Sequence, residues 1–585
     1  TENTTGGSNT AVGHNALGAN TTGGVNVAVG SLALDANTTA NQNTAVGYAA
    51  LGANTTGEDN TAVGKDALTA NTTAINNTAI GTNALAANTT GQHNTSVGQS
   101  SLKTNTTGAN NTACGRAALF ANTTADNNTA VGYLALNQNT TGTQNVAVGG
   151  NALDANTTAS YSTAMGYNAL TANTAEGNTA VGNEALESNT TGTSNVAVGH
   201  RALEANTTGL ENTALGTGAL YTNTTGDKNT AVGQNALVLN TTADNNTAVG
   251  QDALYANTSG ADNTAVGSIA LDANTTGYNN VAVGRNSLGA NTTGASNCAF
   301  GTSALSNNTT QSNNTAVGDE AMFDANGAIH STAVGRRALY ELTTGNYNTA
   351  VGSASQYNTT TGASNTSMGI DSLKQNTTGS YNVAIGGNNL DANTTGNANT
   401  AVGFNAMSAN TTAANNTAVG ANSLDANTTG ASNVAVGYEA MSANTTASNN
   451  TAVGAYALDA CTTGNHNTAL GYTCMGAQVT GSNNVAVGSY ALDITTEGSY
   501  NVAMGHDVAR SLTSGGNNIC LGHGAGNAAS PSGQITTGSN NICLGNNSIS
   551  NLYCADTSIS SSDSRDKTEI TDFTKGLIDV SAQYK

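Results

Sequence analysis

The string Asn-Thr-Ala-Val-Gly, or a close variant of it, starts at Asn9, Asn26, Asn43 and Asn60 and returns every 17 residues along the chain. Self-similarity at a fixed period sets the architecture before any other signal is read. There are 32 copies, the last beginning at Asn541. The step is broken by a one-residue deletion before Asn178 and a six-residue insertion between Asn518 and Asn541. Phase kept so closely implies that successive copies stack on one another.

The consensus is N-T-A-V-G-x-x-A-L-x-A-N-T-T-G-x-x, with its positions numbered one to seventeen below. Position five is Gly in every copy, which predicts a corner with positive φ or a close backbone approach. Thr-Ala-Val before it reads as a short strand whose second and fourth residues point the same way. Position three is Ala, with Ser96 and Ser367 among the exceptions, so its face is packed too tightly for anything larger. Val at four and Leu at nine (Met322, Met407, Met441 and Met475 in some copies) are expected to be the two apolar anchors of a thin core. Position one is Asn except at Ser162 and Ser331, and stacked Asn side chains form hydrogen-bonded ladders in regular β stacks.

No helical reading survives, because apolar residues never recur at i, i+3, i+4 and i+7, and Asn, Thr and Gly are poor helix formers. Two apolar anchors cannot offset the entropy of ordering 17 residues, so a lone copy cannot fold and stacking must supply the rest. The expected fold is all-β, a parallel β-roll or β-solenoid fibre of 32 seventeen-residue turns. At the usual strand spacing that is a rod on the order of 150 Å long. Residues 1–8 read as a cut N-terminal end, 9–522 as the repeat shaft, 523–562 as an irregular distal tip, and 563–585 as a separate segment.

Composition removes several function classes. Fourteen Lys and Arg against 35 Asp and Glu give a net charge of −21, which leaves no basic stripe and excludes nucleic acid as a partner. No run of eighteen apolar residues is present to insert into a membrane. The seven cysteines (Cys114, Cys298, Cys461, Cys474, Cys520, Cys543, Cys554) contain no CxxC pair and read as free thiols. No phosphate loop, metalloprotease motif or nucleophile elbow occurs, so neither a cofactor nor a substrate-directed enzyme is implied.

Composition changes near Ser561: nine of the 23 residues from Asp563 to Lys585 are charged. The string from Ser562 to Ile570, Ser-Asp-Ser-Arg-Asp-Lys-Thr-Glu-Ile, resembles the opening of the endosialidase-type intramolecular chaperone, the S74 peptidase family of phage tail fibres and tailspikes. Gly576-Leu577-Ile578 and the closing Gln583-Tyr584-Lys585 are similar to that family's early segment. The resemblance implies trimerisation followed by self-cleavage between Ser562 and Asp563, with Lys567 activating the serine. A hydroxyl nucleophile needs such a base nearby. The repeat, in turn, resembles the head repeats of trimeric autotransporter adhesins, which build a trimeric left-handed parallel β-roll from a shorter unit. Both resemblances imply a homotrimer, intertwined or side by side.

The implied function is a structural and adhesive tail fibre on an extracellular phage virion. Its partners would be a host cell-surface polysaccharide or protein receptor at one end and a baseplate or another fibre protein at the other. A secreted trimeric adhesin and an ice-binding solenoid with Thr rows are the alternatives. Positions six, seven, ten, sixteen and seventeen carry most of the Tyr, His and charge and are expected to face solvent. The insertion and tip, with Pro531, Gln534 and Tyr553, are the candidate receptor contact. His506 and His523, one turn apart, are a weak candidate metal site in a trimer. The many Asn-Thr-Thr triplets satisfy the glycosylation rule but read as turn residues.

Overall fold

A computed structural model describes residues 4–531 and 533–551. Two compact units are present, Thr1–Ala455 and Tyr456–Lys585. Among the described residues the regular elements are 32 three-residue strands, one at positions two to four of every repeat, and there is no helix. The first unit runs from the strand Thr10–Val12 to Thr451–Val453, the second from Thr468–Leu470 to Ile542–Leu544. Within each unit every strand pairs in parallel with the next at equivalent positions, as Thr10 with Val27 and Val27 with Thr44, or Val485 with Val502. Each unit is therefore a parallel β-solenoid with one strand per turn, the architecture that the 17-residue period predicts.

Hydrogen bonding continues around the turn beyond the strand. The Thr61 amide donates to Asn77 O at 2.8 Å, Leu68 to Ala84 O at 3.0 Å, Ala70 to Ala86 O at 3.0 Å and Thr72 to Thr89 O at 3.3 Å. Residues outside the strand are thus also bonded to the adjoining turn, and the backbone polar groups are satisfied with little regular sheet.

The core differs from the sequence expectation in one respect. Position three (Ala62), position eight (Ala67) and position nine (Leu68) are fully buried, but Val at position four is not. Val46 is 36% exposed and Met368 51%, and the Thr or Val at position two faces outward with it. In a three-residue strand the pleat sends one side chain inward and two outward. The inward direction belongs to Ala, so Val is a surface residue.

Two columns of buried amides accompany the apolar column. At position one, Asn60 N donates to Asn43 Oδ1 at 3.0 Å, while Asn60 Nδ2 reaches the Ala74 carbonyl at 2.9 Å. At position twelve, Asn54 Nδ2 donates to Asn37 Oδ1 at 3.1 Å and to Gly57 O at 2.9 Å. The Asn of most Asn-Thr-Thr triplets, as at Asn54 and Asn71, is the position-twelve residue, buried and engaged in this ladder, which withdraws it from any modifying enzyme; Asn358, at position eleven, is not buried and donates to Gln375 Oε1 instead. Hydroxyls at position thirteen form a third row, Thr21 Oγ1 donating to Thr38 O at 3.0 Å.

The corners use unusual backbone. Gly64 has φ +137°, and a Cβ there would lie 2.6 Å from the Gly81 carbonyl oxygen, so positive φ and close approach both apply. Positions seven, nine and seventeen are left-handed without being glycine, as at Asp66 (φ 56°), Leu68 (φ 51°) and Asn76 (φ 58°). Such residues persist only where their surroundings over-determine them, and here each is fixed by inter-turn hydrogen bonds.

Both breaks in step fall in corners and spare the strands. The deletion shortens the turn after Asn173, yet Thr163 still pairs with Thr179. It has a local cost: Asn173 Nδ2 turns to the Ala175 carbonyl at 2.7 Å, and the buried Asn156 Oδ1 is left without a partner. The insertion lies between positions nine and twelve, where the Ile535 amide donates to Gly526 O at 2.9 Å across its base, and Ile519 stays paired with Ile542.

Candidate functional site

Three outward features distinguish the two units from evenly polar solenoids. The first is the strand face. Through all 27 turns of the first unit, position four is Val, Ile, Leu, Met, Phe or Cys, and position two is Thr, Val or Cys. No charge interrupts either row, and Val46, Ile80, Val131, Met165, Leu215, Phe300 and Met368 along it are exposed. Parallel in-register pairing brings these side chains into continuous columns. The position-four column is a contiguous apolar strip edged by a mostly Thr column, and such a strip marks an interaction surface.

The second feature is a column of aromatic rings at position ten of three consecutive turns. Phe323 and Tyr340 stack at 5.3 Å between centroids with 9° between planes, and Tyr340 and Tyr357 at 4.9 Å with 7°. Arg337 lies over the Tyr340 ring at 5.6 Å, and burial in the column raises the Tyr340 phenol pKa above its ordinary value of 10.0. The Asn ladder at position twelve is interrupted in these same turns by Ala325, Leu342 and Thr359. Asn308 Oδ1 ends the preceding stretch without a partner, because Ala325 has no amide to offer it.

The third feature lies in the second unit, at position six. His506 and His523 stack with centroids 5.4 Å apart and 7° between planes. With Asp507 they place three ligand atoms within 4.8 Å of one another. Competing partners occupy the group: Asp507 Oδ1 receives Arg510 Nη1 at 3.2 Å, and His523 Nδ1 lies 2.9 Å from the Asn546 amide nitrogen. The His523 edge committed in this way, beside a compensated carboxylate, leaves a poor cation site.

Pro531 and Gln534 are exposed on the inserted segment, while Ser530 and Ile535 at its base are buried. The structure therefore presents these two sequence candidates to solvent. Tyr553, Ser562, Asp563 and Lys567 lie outside the described residues. The variable positions face outward as expected, shown by Tyr48, Tyr133, Tyr167 and Tyr438. Sequence reading by residue type missed the aromatic column, although Phe323, Tyr340 and Tyr357 are spaced by one repeat and would have been found by reading each position down the stack.

Compared with models of known protein families and with curated protein sequences, the chain matches none.

Proposed function

We propose that this chain is the shaft and distal part of a homotrimeric, extracellular adhesive fibre of a phage tail. The observation that carries the reading is the uncharged strand face, an apolar column at position four beside a Thr- or Val-bearing column at position two. A partner able to cover it must repeat at the same spacing over many turns, and a second copy of this chain meets that requirement turn for turn. Val-rich columns packed against equivalent columns would bury apolar area in proportion to length, and heterologous packing around a threefold axis closes without leaving an edge. The number three comes from the resemblance of the segment from Ser562 to Ile570 to the self-cleaving chaperone, whose cut would fall between Ser562 and Asp563 with Lys567 as the activating base.

Native mass and intact mass of the product expressed together with its downstream coding sequence test this reading. Trimers whose subunits end at Ser562 are the expected result. Uncut monomers would overturn both the chaperone and the strip-mediated assembly.

A further inference from the structure

Two clefts among the described residues of the first unit border the aromatic column. One, of about 260 Å³, is lined by Arg336, Arg337, Ser353, Ala354, Tyr357 and Lys374. It exists because Ser353 and Ala354 are small where the preceding turn carries two arginines and the following turn ends in Lys374. The other, of about 460 Å³, is lined by Ala290, Asn307, Thr309, Asp324, Asn326 and Thr343. In repeat register the first cleft uses positions six, seven and ten and the second uses eleven and thirteen. The ring column at position ten therefore stands between them.

The two clefts offer different chemistry. In a chain of net charge −21 with 14 Lys and Arg, three of those cations line one notch that no carboxylate lines. Each cation is paired with a carboxylate outside the lining: Asp319 meets Arg336 Nε at 3.7 Å, Glu320 meets Arg337 Nε at 2.5 Å, and Asp371, one turn on from Ala354 at position seven, meets Lys374 at 3.0 Å. Pairing at Nε orients each guanidinium and leaves its remaining N–H donors for bidentate capture of an anion. The second cleft presents amides and hydroxyls from Asn307, Asn326, Thr309 and Thr343, partners suited to alcohol groups, together with one carboxylate, Asp324, which accepts from Asn307 Nδ2. Between them, Tyr357 and the column edge supply apolar surface with phenolic tips. A compact anion would use the notch alone. An acidic sugar polymer lying along the rod would use all three surfaces.

We propose that the turns spanning residues 290–374 bind an acidic polysaccharide, with a carboxylate of the polymer in the Arg336–Arg337–Lys374 notch and sugar hydroxyls in the amide-lined cleft. The assignment rests on the adhesive reading above and names its ligand class. The test is calorimetric titration of the full-length protein with hexuronate and sialate oligosaccharides, with neutral dextran and polyphosphate as comparators, repeated on Arg336→Gln/Lys374→Gln and on Tyr357→Ala. All three positions are at the surface, and circular dichroism checks that the variants keep the fold. Expected is binding of at least one acidic oligosaccharide, no binding of dextran, and a loss of about tenfold or more in each variant. Absence of binding across the acidic panel overturns the site. So does polyphosphate binding as tightly as the sugars, which would mean charge attraction only, or affinities unchanged in the variants. Attachment of labelled protein to host cells is measured separately. Attachment that survives both variants would leave the adhesive reading standing without this site, and oligosaccharide binding without attachment to any cell would do the reverse.

Discussion

The side-chain amide of Asn71 donates to Oδ1 of Asn54 at 2.9 Å, one turn away, and both side chains are fully buried. That bond is one rung of a ladder in which each carboxamide is donor to one neighbour and acceptor from the other. Removing one rung leaves a buried acceptor behind it. Asn71→Ala should cost about 1–3 kcal/mol, the usual penalty of an orphaned buried polar group. Because each turn contacts only its neighbours, the loss should appear as faster amide hydrogen exchange in the flanking turns, with distant turns unchanged. Uniformly faster exchange along the whole unit would contradict this local account.

Gly64→Ala tests the corner. The new Cβ would stand 2.6 Å from the Gly81 carbonyl oxygen on a backbone of φ +137°. The backbone strain alone is worth about 1–3 kcal/mol, and the overlap adds to it. Limited proteolysis should acquire a new cut near residue 64 in the variant, whereas Lys65→Ala, at the solvent-facing position next to it, should digest like the parent.

Acid should stabilise the repeat. Asp35, Asp154, Asp272, Asp391 and Asp425 all stand at position ten, and partial burial raises each pKa above the ordinary 3.8. The folded state therefore holds protons to higher pH than the unfolded chain does. Stability then rises as pH falls from neutral through the folded pKa values, and the gain is complete below the unfolded value. Thermal melts followed by circular dichroism should give a higher midpoint near pH 4.5 than at pH 7.5, with the difference reduced when these aspartates are replaced by Asn. A lower midpoint in acid would refute the desolvation account.

The thiols should separate into reactive and inert classes. Cys114 is exposed on the strand face. Burial pushes Cys461 up to about 11 and Cys474 and Cys520 up to about 12, so at pH 8 these three hold almost no thiolate, the reactive form. Iodoacetamide labelling read by peptide mass spectrometry should modify Cys114 within the first minutes wherever the strand face is uncovered, more slowly where a second copy covers that face, and should leave the other three unlabelled until the protein is denatured.

Period, strand placement and the outward variable positions were legible in the sequence because each follows from what recurs at one position of the repeat. The burial of Ala rather than Val was not. Hydrophobicity ranks Val above Ala, and a strand of three residues has too little alternation to say which face is inside; the narrow space between stacked turns decides it. The left-handed backbone at Leu68 was equally hidden, since Leu carries no bias toward that conformation, although Asn and Asp at positions seven and seventeen, such as Asn15 and Asp59, do. Among candidate site residues, Pro531 and Gln534 are exposed on the inserted segment, and the neighbours of His506 and His523 became visible only once turns were laid side by side.

The corners after Asn173 and after Gly526 accept one residue fewer and six residues more while the strands beside them stay in register. Geometry at one turn is thus decoupled from chain length at the next. An in-frame duplication or loss of a repeat within either solenoid unit would change its reach by a whole step, so length in such a protein is a count, adjustable by recombination between near-identical coding segments.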